Sequence, residues 1–168
     1  MITADYCRMM ARYNDWQSRS QLTSAGALQQ QDRDMDRGAF FGSITGTLNH
    51  LLWGDRMWMS RFSNVEKPGM PISASPEMTG SWEAYVAMRE STNQIILDWA
   101  NKLTDAALGG DLHWYSGALK RDVTKPLAVC VVHFFNHQTH HRGQVHAMLT
   151  AAGLVPDDTD LFAMSETA

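Results

Sequence analysis

Four stretches of this chain repeat apolar side chains at intervals of three and four residues, and each is bounded by residues that start or stop helices, a pattern that predicts an all-α fold. Thr3 suits the cap of a helix that carries Tyr6, Met9, Met10, Tyr13 and Trp16 and runs to about Ala25, before Gly26. Ser43 suits the cap of a second helix reaching about Phe62, with Ile44, Leu48, Leu51, Leu52, Met59 and Phe62 on its buried side. A loop containing Pro68, Pro71 and Pro76 follows. Ser81 then opens a third helix with Trp82, Tyr85, Met88, Ile95, Ile96, Trp99 and Leu103 at helical intervals, ending before Gly109 and Gly110. Pro126 fits the first position of a fourth helix, from Leu127 to about Ala152, which stops at Gly153 with Pro156 beyond.

Between these segments, residues 29–38 alternate Asp32, Asp34 and Asp36 with Arg33 and Arg37 and read as a solvated connection. Residues 104–125 contain Gly109, Gly110 and Gly117 around a short apolar piece, which predicts a crossover loop or a small hairpin. The expected architecture is a four-helix bundle with a crossover, two of its segments being separated by an extended connection. Bundles of this kind build metal sites from facing side chains. A chain of 168 residues, 44% hydrophobic and 19% charged, is long enough to bury one continuous core, so residues 1–168 are expected to form a single domain.

The charge balance narrows the partners. Fourteen Lys and Arg stand against 18 Asp and Glu, with no basic run to follow a phosphate backbone, so direct contact with nucleic acid is not expected. Cys7 and Cys130 are too few and too far apart for a disulfide framework or a CxxC zinc site, which favours a reducing compartment. The first residues lack the basic and apolar regions of a signal peptide, and no apolar run approaches the roughly 18 residues of a membrane span. The expected location is the cytoplasm.

Chemistry concentrates in the fourth helix, where four of the seven histidines fall between His133 and His141. On a helix His137 and His141 share a face, with Cβ atoms about 5–6 Å apart, and can present two nitrogens to one ion. At about 100° per residue, His141 lies about 40° to one side of His137 and His133 about 40° to the other. His140 falls at the edge of that face, and His146 lies opposite. Cys130 is about 10 Å along the axis from His137, too far to share an ion with His141, and is expected in the core. A third ligand must come from another helix, and His50 is the only histidine on helices one to three; Thr47 and Gly54, one turn away on either side, are small enough to admit the fourth helix. Three neutral imidazoles leave a coordination position open, as catalytic zinc sites do. Spacing alone leaves His133 and His141 both eligible, and it also fits a face of hydrogen-bonded polar residues. His113 is assigned no functional role, and most of the Trp and Met residues are expected in the core.

Three motifs carry a resemblance. Tyr13-Asn14-Asp15-Trp16, Gly46-Thr47-Leu48-Asn49-His50-Leu51-Leu52-Trp53-Gly54-Asp55 and Asn136-His137-Gln138-Thr139-His140-His141-Arg142-Gly143-Gln144 resemble, in order and spacing, the DinB superfamily of damage-inducible, metal-binding four-helix bundles. The resemblance spans nearly the whole chain. It implies that His50, His137 and His141 are the metal ligands, in preference to His133, that the ion is zinc or nickel, and that the helices run up-down-down-up with a long connection between helices two and three. It further implies a homodimer. Some members are transferases or isomerases that use a low-molecular-weight thiol in place of glutathione, and many have no assigned activity.

The function expected from this is a metal-dependent enzyme that activates a thiol or water for transfer to, or hydrolysis of, a small electrophilic molecule in stress or detoxification. The alternative is a non-catalytic metal-bound bundle acting in ligand binding or protein association. Asn49, Asn136 and Gln144 are candidates for hydrogen bonds to the imidazoles or between helices. Asp55 and Arg142 are candidates for an interhelical ion pair, a solvated charge or a role in the site. No catalytic residue beyond the ligands is singled out.

Overall fold

Three of the four long helices begin on the side-chain cap that the sequence offers. Thr3 Oγ1 accepts the Tyr6 N–H at 3.2 Å, Ser43 Oγ the Gly46 N–H at 3.0 Å, and Ser81 Oγ the Ala84 N–H at 3.2 Å. The computed structural model, which describes residues 1–117 and 119–165, is mostly helical: α1 (Ala4–Gly26), α2 (Gln30–Asp34), α3 (Ile44–Phe62), α4 (Trp82–Lys102) and α5 (Leu127–Ala151). A two-stranded antiparallel hairpin, β1 (Asp111–Ser116) and β2 (Arg121–Pro126), precedes α5 and pairs Trp114 with Val123. Residues 104–125 therefore take the hairpin option. Ser43→Ala is expected to lower stability by about 1 kcal/mol, read as a shift in the urea midpoint without a change of slope.

α1 packs on α4 and α5, and α3 packs on the same two helices. The interior is layered along the bundle. One apolar end joins Cys7 and Ala11 of α1, Met59 of α3, Ile96 and Ala100 of α4, and Val131, Phe134 and Phe135 of α5. The other joins Ala25, the triplet Ile44, Leu48 and Leu52, Tyr85, and the triplet Val145, Met148 and Leu149. Between them every long helix contributes buried polar groups: Asn14, Asp55, Arg89, Asn93, Gln138 and Arg142 are each no more than 4% exposed. Asp55 accepts from Arg89 Nη1 at 2.6 Å and from Gln138 Nε2 at 3.0 Å, while Arg142 donates to Asn14 Oδ1. The partner of Asp55 is thus Arg89, and Arg142 is engaged with α1.

This layer changes the reading of α1. Its buried stripe is Cys7, Ala11, Asn14, Ser18, Gln21 and Ala25, small and polar residues at helical spacing, while Tyr6 and Met10 only flank the core. Of the large residues expected on this face, Tyr13 is buried and Tyr6 and Met10 pack against the core, while the rest of the middle of α1 faces polar side chains of α4 and α5. The 29–38 segment is mostly exposed, as expected of a solvated connection, with Arg33 the buried exception. It contains the short α2, whose Arg33 is 7% exposed, donates to the Ala25 and Leu28 carbonyls and lies 4.6 Å from the Trp82 ring. Pro126 stands one position earlier than expected, ending β2 and occupying the cap position of α5. No helix among the described residues is long and apolar enough to cross a membrane.

Candidate metal centre

The polar layer opens on one side into the seam between α3 and α5. α3 presents His50, Trp53 and Gly54 there, and α5 presents His137 and His141. The two helices approach because position 54 lacks a side chain: a Cβ built on Gly54 would lie 2.7 Å from His137 Cε1. The three imidazoles converge, with ring centroids 4.7 Å apart for His50 and His141, 5.4 Å for His50 and His137, and 4.4 Å for His137 and His141. One ligand nitrogen from each lies within 4.8 Å of the other two. Of the four nearby histidines on α5, the structure joins His137 and His141 to His50, while His133 is exposed and turned toward Trp58, 5.1 Å away between centroids. His140 is exposed beside His141, and His113 bonds Thr124 Oγ1 on the hairpin at 2.7 Å.

Hydrogen bonds set how two of the rings face. His141 Nδ1–H donates to Gln144 Oε1 at 2.7 Å, which fixes the tautomer and leaves the Nε2 lone pair free. His50 Nδ1 lies 2.9 Å from Ser75 Oγ and donates to it in the tautomer that frees Nε2. His137 Nδ1 is buried with no hydrogen-bond partner among the described residues, a condition that an ion would relieve. The set of three neutral nitrogen donors suits a divalent transition metal, so the residues present could hold such an ion.

Ser75 and Phe41 are the parts of the site that sequence reasoning missed. Ser75 is fully buried in a short 3-10 turn (Ile72–Glu77) of the α3–α4 connection, and spacing carries no signal for a contact across 25 residues. Asn49, expected to bond an imidazole or another helix, instead ties this connection to α3: it donates to the Pro76 carbonyl at 3.1 Å and accepts from Thr79 Oγ1 at 2.8 Å. Of the three amides singled out, Gln144 alone is bonded to a site imidazole, and Asn136 is exposed. Phe41 stacks on His50 with centroids 3.8 Å apart and planes 19° apart. Its backbone is admitted by Gly46, where a Cβ would lie 2.3 Å from the Phe41 carbonyl oxygen. Cys130 is buried and unpaired, and burial pushes its thiol pKa up, away from the range of a nucleophile.

Burial also keeps the imidazoles neutral. It lowers His50 to about 4, helped by the charge that His141 would carry, and lowers His137 to about 3, helped by His141, His50, His133 and His140. In the unfolded chain the same groups gain protons near pH 6.5. Between roughly pH 6.5 and pH 3 the unfolded chain therefore binds more protons than the fold, and acid favours unfolding. The metal-free protein is expected to hold its full stability above this window and to lose it as pH falls through it, measured as urea midpoints across pH. His50→Gln and His137→Gln should flatten the profile.

The family model described as the DinB family matches residues 1–168, the full length of the chain. No curated protein matches it.

Proposed function

The chain belongs to the DinB family, and from that premise we propose that His50, His137 and His141 hold one divalent transition metal, zinc or nickel, in a metal-dependent enzyme. The reaction proposed is transfer of a low-molecular-weight thiol, or of water, to a small electrophilic molecule, as in detoxification under stress. The observation that carries the reading is the convergence of three ligand nitrogens within 4.8 Å, with His141 held by Gln144 and His50 by Ser75. When bound, such an ion supplies Lewis acidity that brings a thiol or water to its deprotonated form near neutral pH.

The chain's own residues do the rest. Gln144 and Ser75 keep two rings aimed inward, so little ordering is left for the moment of binding. Phe41 covers one face of His50 and excludes water from that side. With three protein ligands, a position remains for the reacting molecule. The exposed flank toward His140 and His133 is where that molecule enters. As scaffold, we propose a single-domain up-down-down-up bundle, in keeping with the order in which each helix meets the two apolar ends: α1 and α5 pass them in one order, α3 and α4 in the other. We place it in the cytoplasm as a homodimer.

The open position is tested with cobalt(II)-loaded protein titrated with cysteine as the probe thiol. A thiolate-to-cobalt charge-transfer band that saturates with cysteine is expected. An unchanged spectrum would mean a closed coordination sphere and a non-catalytic ion.

A further inference from the structure

A second cluster lies one step along the same seam, toward the hairpin. Arg61, in the last turn of α3, sits 4.4 Å from the Trp58 ring and 5.4 Å from the Trp114 ring of β1, in the corner the two indoles form at 64° to each other. These cation–π contacts hold the guanidinium in place but use none of its N–H donors. Arg61 makes no hydrogen bond or ion pair with the described residues, in contrast to Arg33, Arg89 and Arg142, each of which donates at least one hydrogen bond inside the fold. Nor is any of its nitrogens among the buried atoms without a partner, so its donors face accessible space.

The surroundings favour negative charge. Arg61 acts electrostatically on Cys130 together with Lys125, which places two cations beside the first turn of α5. That turn carries no acidic residue and no side-chain cap, and of its N–H groups that of Leu127 is bonded to the Gly110 carbonyl at 3.0 Å. His133 links the two clusters: its ring lies 5.1 Å from Trp58 and 6.0 Å from His137. Arg61 is seven residues beyond Gly54 on α3, about 10 Å along the axis from the level of His137.

We infer that Arg61, with Trp58 and Trp114, is the subsite for the carboxylate of a small, flat acid whose other end reaches the three-histidine site. A guanidinium presents paired N–H donors in one plane, which match the two oxygens of a carboxylate, and the indoles supply apolar walls for the flat body attached to it. The inference deepens the metal reading, since it names the kind of molecule presented to the ion; the contact at Arg61 itself needs no metal.

The test measures binding of phenylacetate and its uncharged analogue phenylacetamide by calorimetry and tryptophan fluorescence. It compares native protein, zinc-loaded and zinc-free, with Arg61→Met and Arg61→Lys. Phenylacetate is expected to bind native protein at least tenfold more tightly than the amide in both metal states. Arg61→Met should abolish the preference, and Arg61→Lys should restore part of it, with circular dichroism unchanged in both. If the preference vanishes on zinc removal and survives Arg61→Met, the carboxylate sits on the ion: the Arg61 subsite is overturned while the metal site stands. Equal binding of acid and amide by native protein would overturn it as well, leaving Arg61 a packing residue. Tighter binding of phenylphosphonate than of phenylacetate would overturn the assignment of a carboxylate.

Discussion

Asp55→Ala is expected to destabilise the protein by about 3–5 kcal/mol, the largest effect of any single substitution proposed, because it leaves the Arg89 guanidinium buried with no countercharge. Arg89 is 1% exposed and its Nη1 donates to Asp55 at 2.6 Å, while its Nε and Nη2 have no other partner among the described residues. The same substitution strips the acceptor from Gln138 Nε2. Set against the roughly 5–15 kcal/mol by which domains are stable, such a loss brings the chain close to unfolding. Urea denaturation gives the number. The double variant Asp55→Leu, Arg89→Met should recover part of it, since no buried charge is left unpaired although Gln138 still lacks its acceptor. A loss below about 1 kcal/mol in the single variant would mean that the polar layer is solvated and that its ion pair behaves as a surface pair.

Gly54→Ala separates the site from the scaffold. Alanine is favoured over glycine inside a helix by about 1 kcal/mol, so α3 itself should gain. The added methyl, however, falls 2.7 Å from His137 Cε1, and either the ring or the helix must move. Zinc binding is expected to weaken about ten- to a hundredfold, the range seen when the support of a ligand imidazole is lost. Thermal stability of the metal-free protein should change little. Competition with a chromophoric chelator reads the affinity, and unaltered zinc binding would show that His137 has room to spare.

How far the chain could be read in advance follows from the range of the interactions. Helix positions were legible because caps and periodicity are local: Thr3, Ser43 and Ser81 cap where expected, and α3 ends at Phe62 as the apolar pattern predicts. The ligand trio was half legible. His137 and His141 share a face by spacing alone, but the choice of His141 over His133 needed the family motif, and the structure draws the same three residues together. Gly54 was correctly read as a small residue that admits the fourth helix, and the closeness of His137 gives that reading its reason.

What escaped was nonlocal. Ser75 reaches His50 through a connection with no periodicity, and Phe41 reaches it from the turn before Ser43. The polar layer was only partly visible: an interhelical ion pair was one reading of Asp55, but nothing local pointed to Arg89 as its partner or to Asn14 and Gln138 as parts of the layer. Only their mutual placement shows that they satisfy one another inside the bundle. In α1 the large residues marked the buried face only in part, at Tyr13, because periodicity of large apolar residues marks a core only where the facing helices are apolar too.

The most direct measurement is the metal content of untagged protein, by elemental analysis after loading with zinc or nickel and dialysis. Native chain is compared with His137→Ala and with the double variant His50→Ala, His141→Ala. The account predicts about one ion per native chain and none in either variant, with helical content intact by circular dichroism. Native protein that retains no ion, or variants that retain it as well as native, would contradict the three-histidine centre on which the proposed chemistry depends.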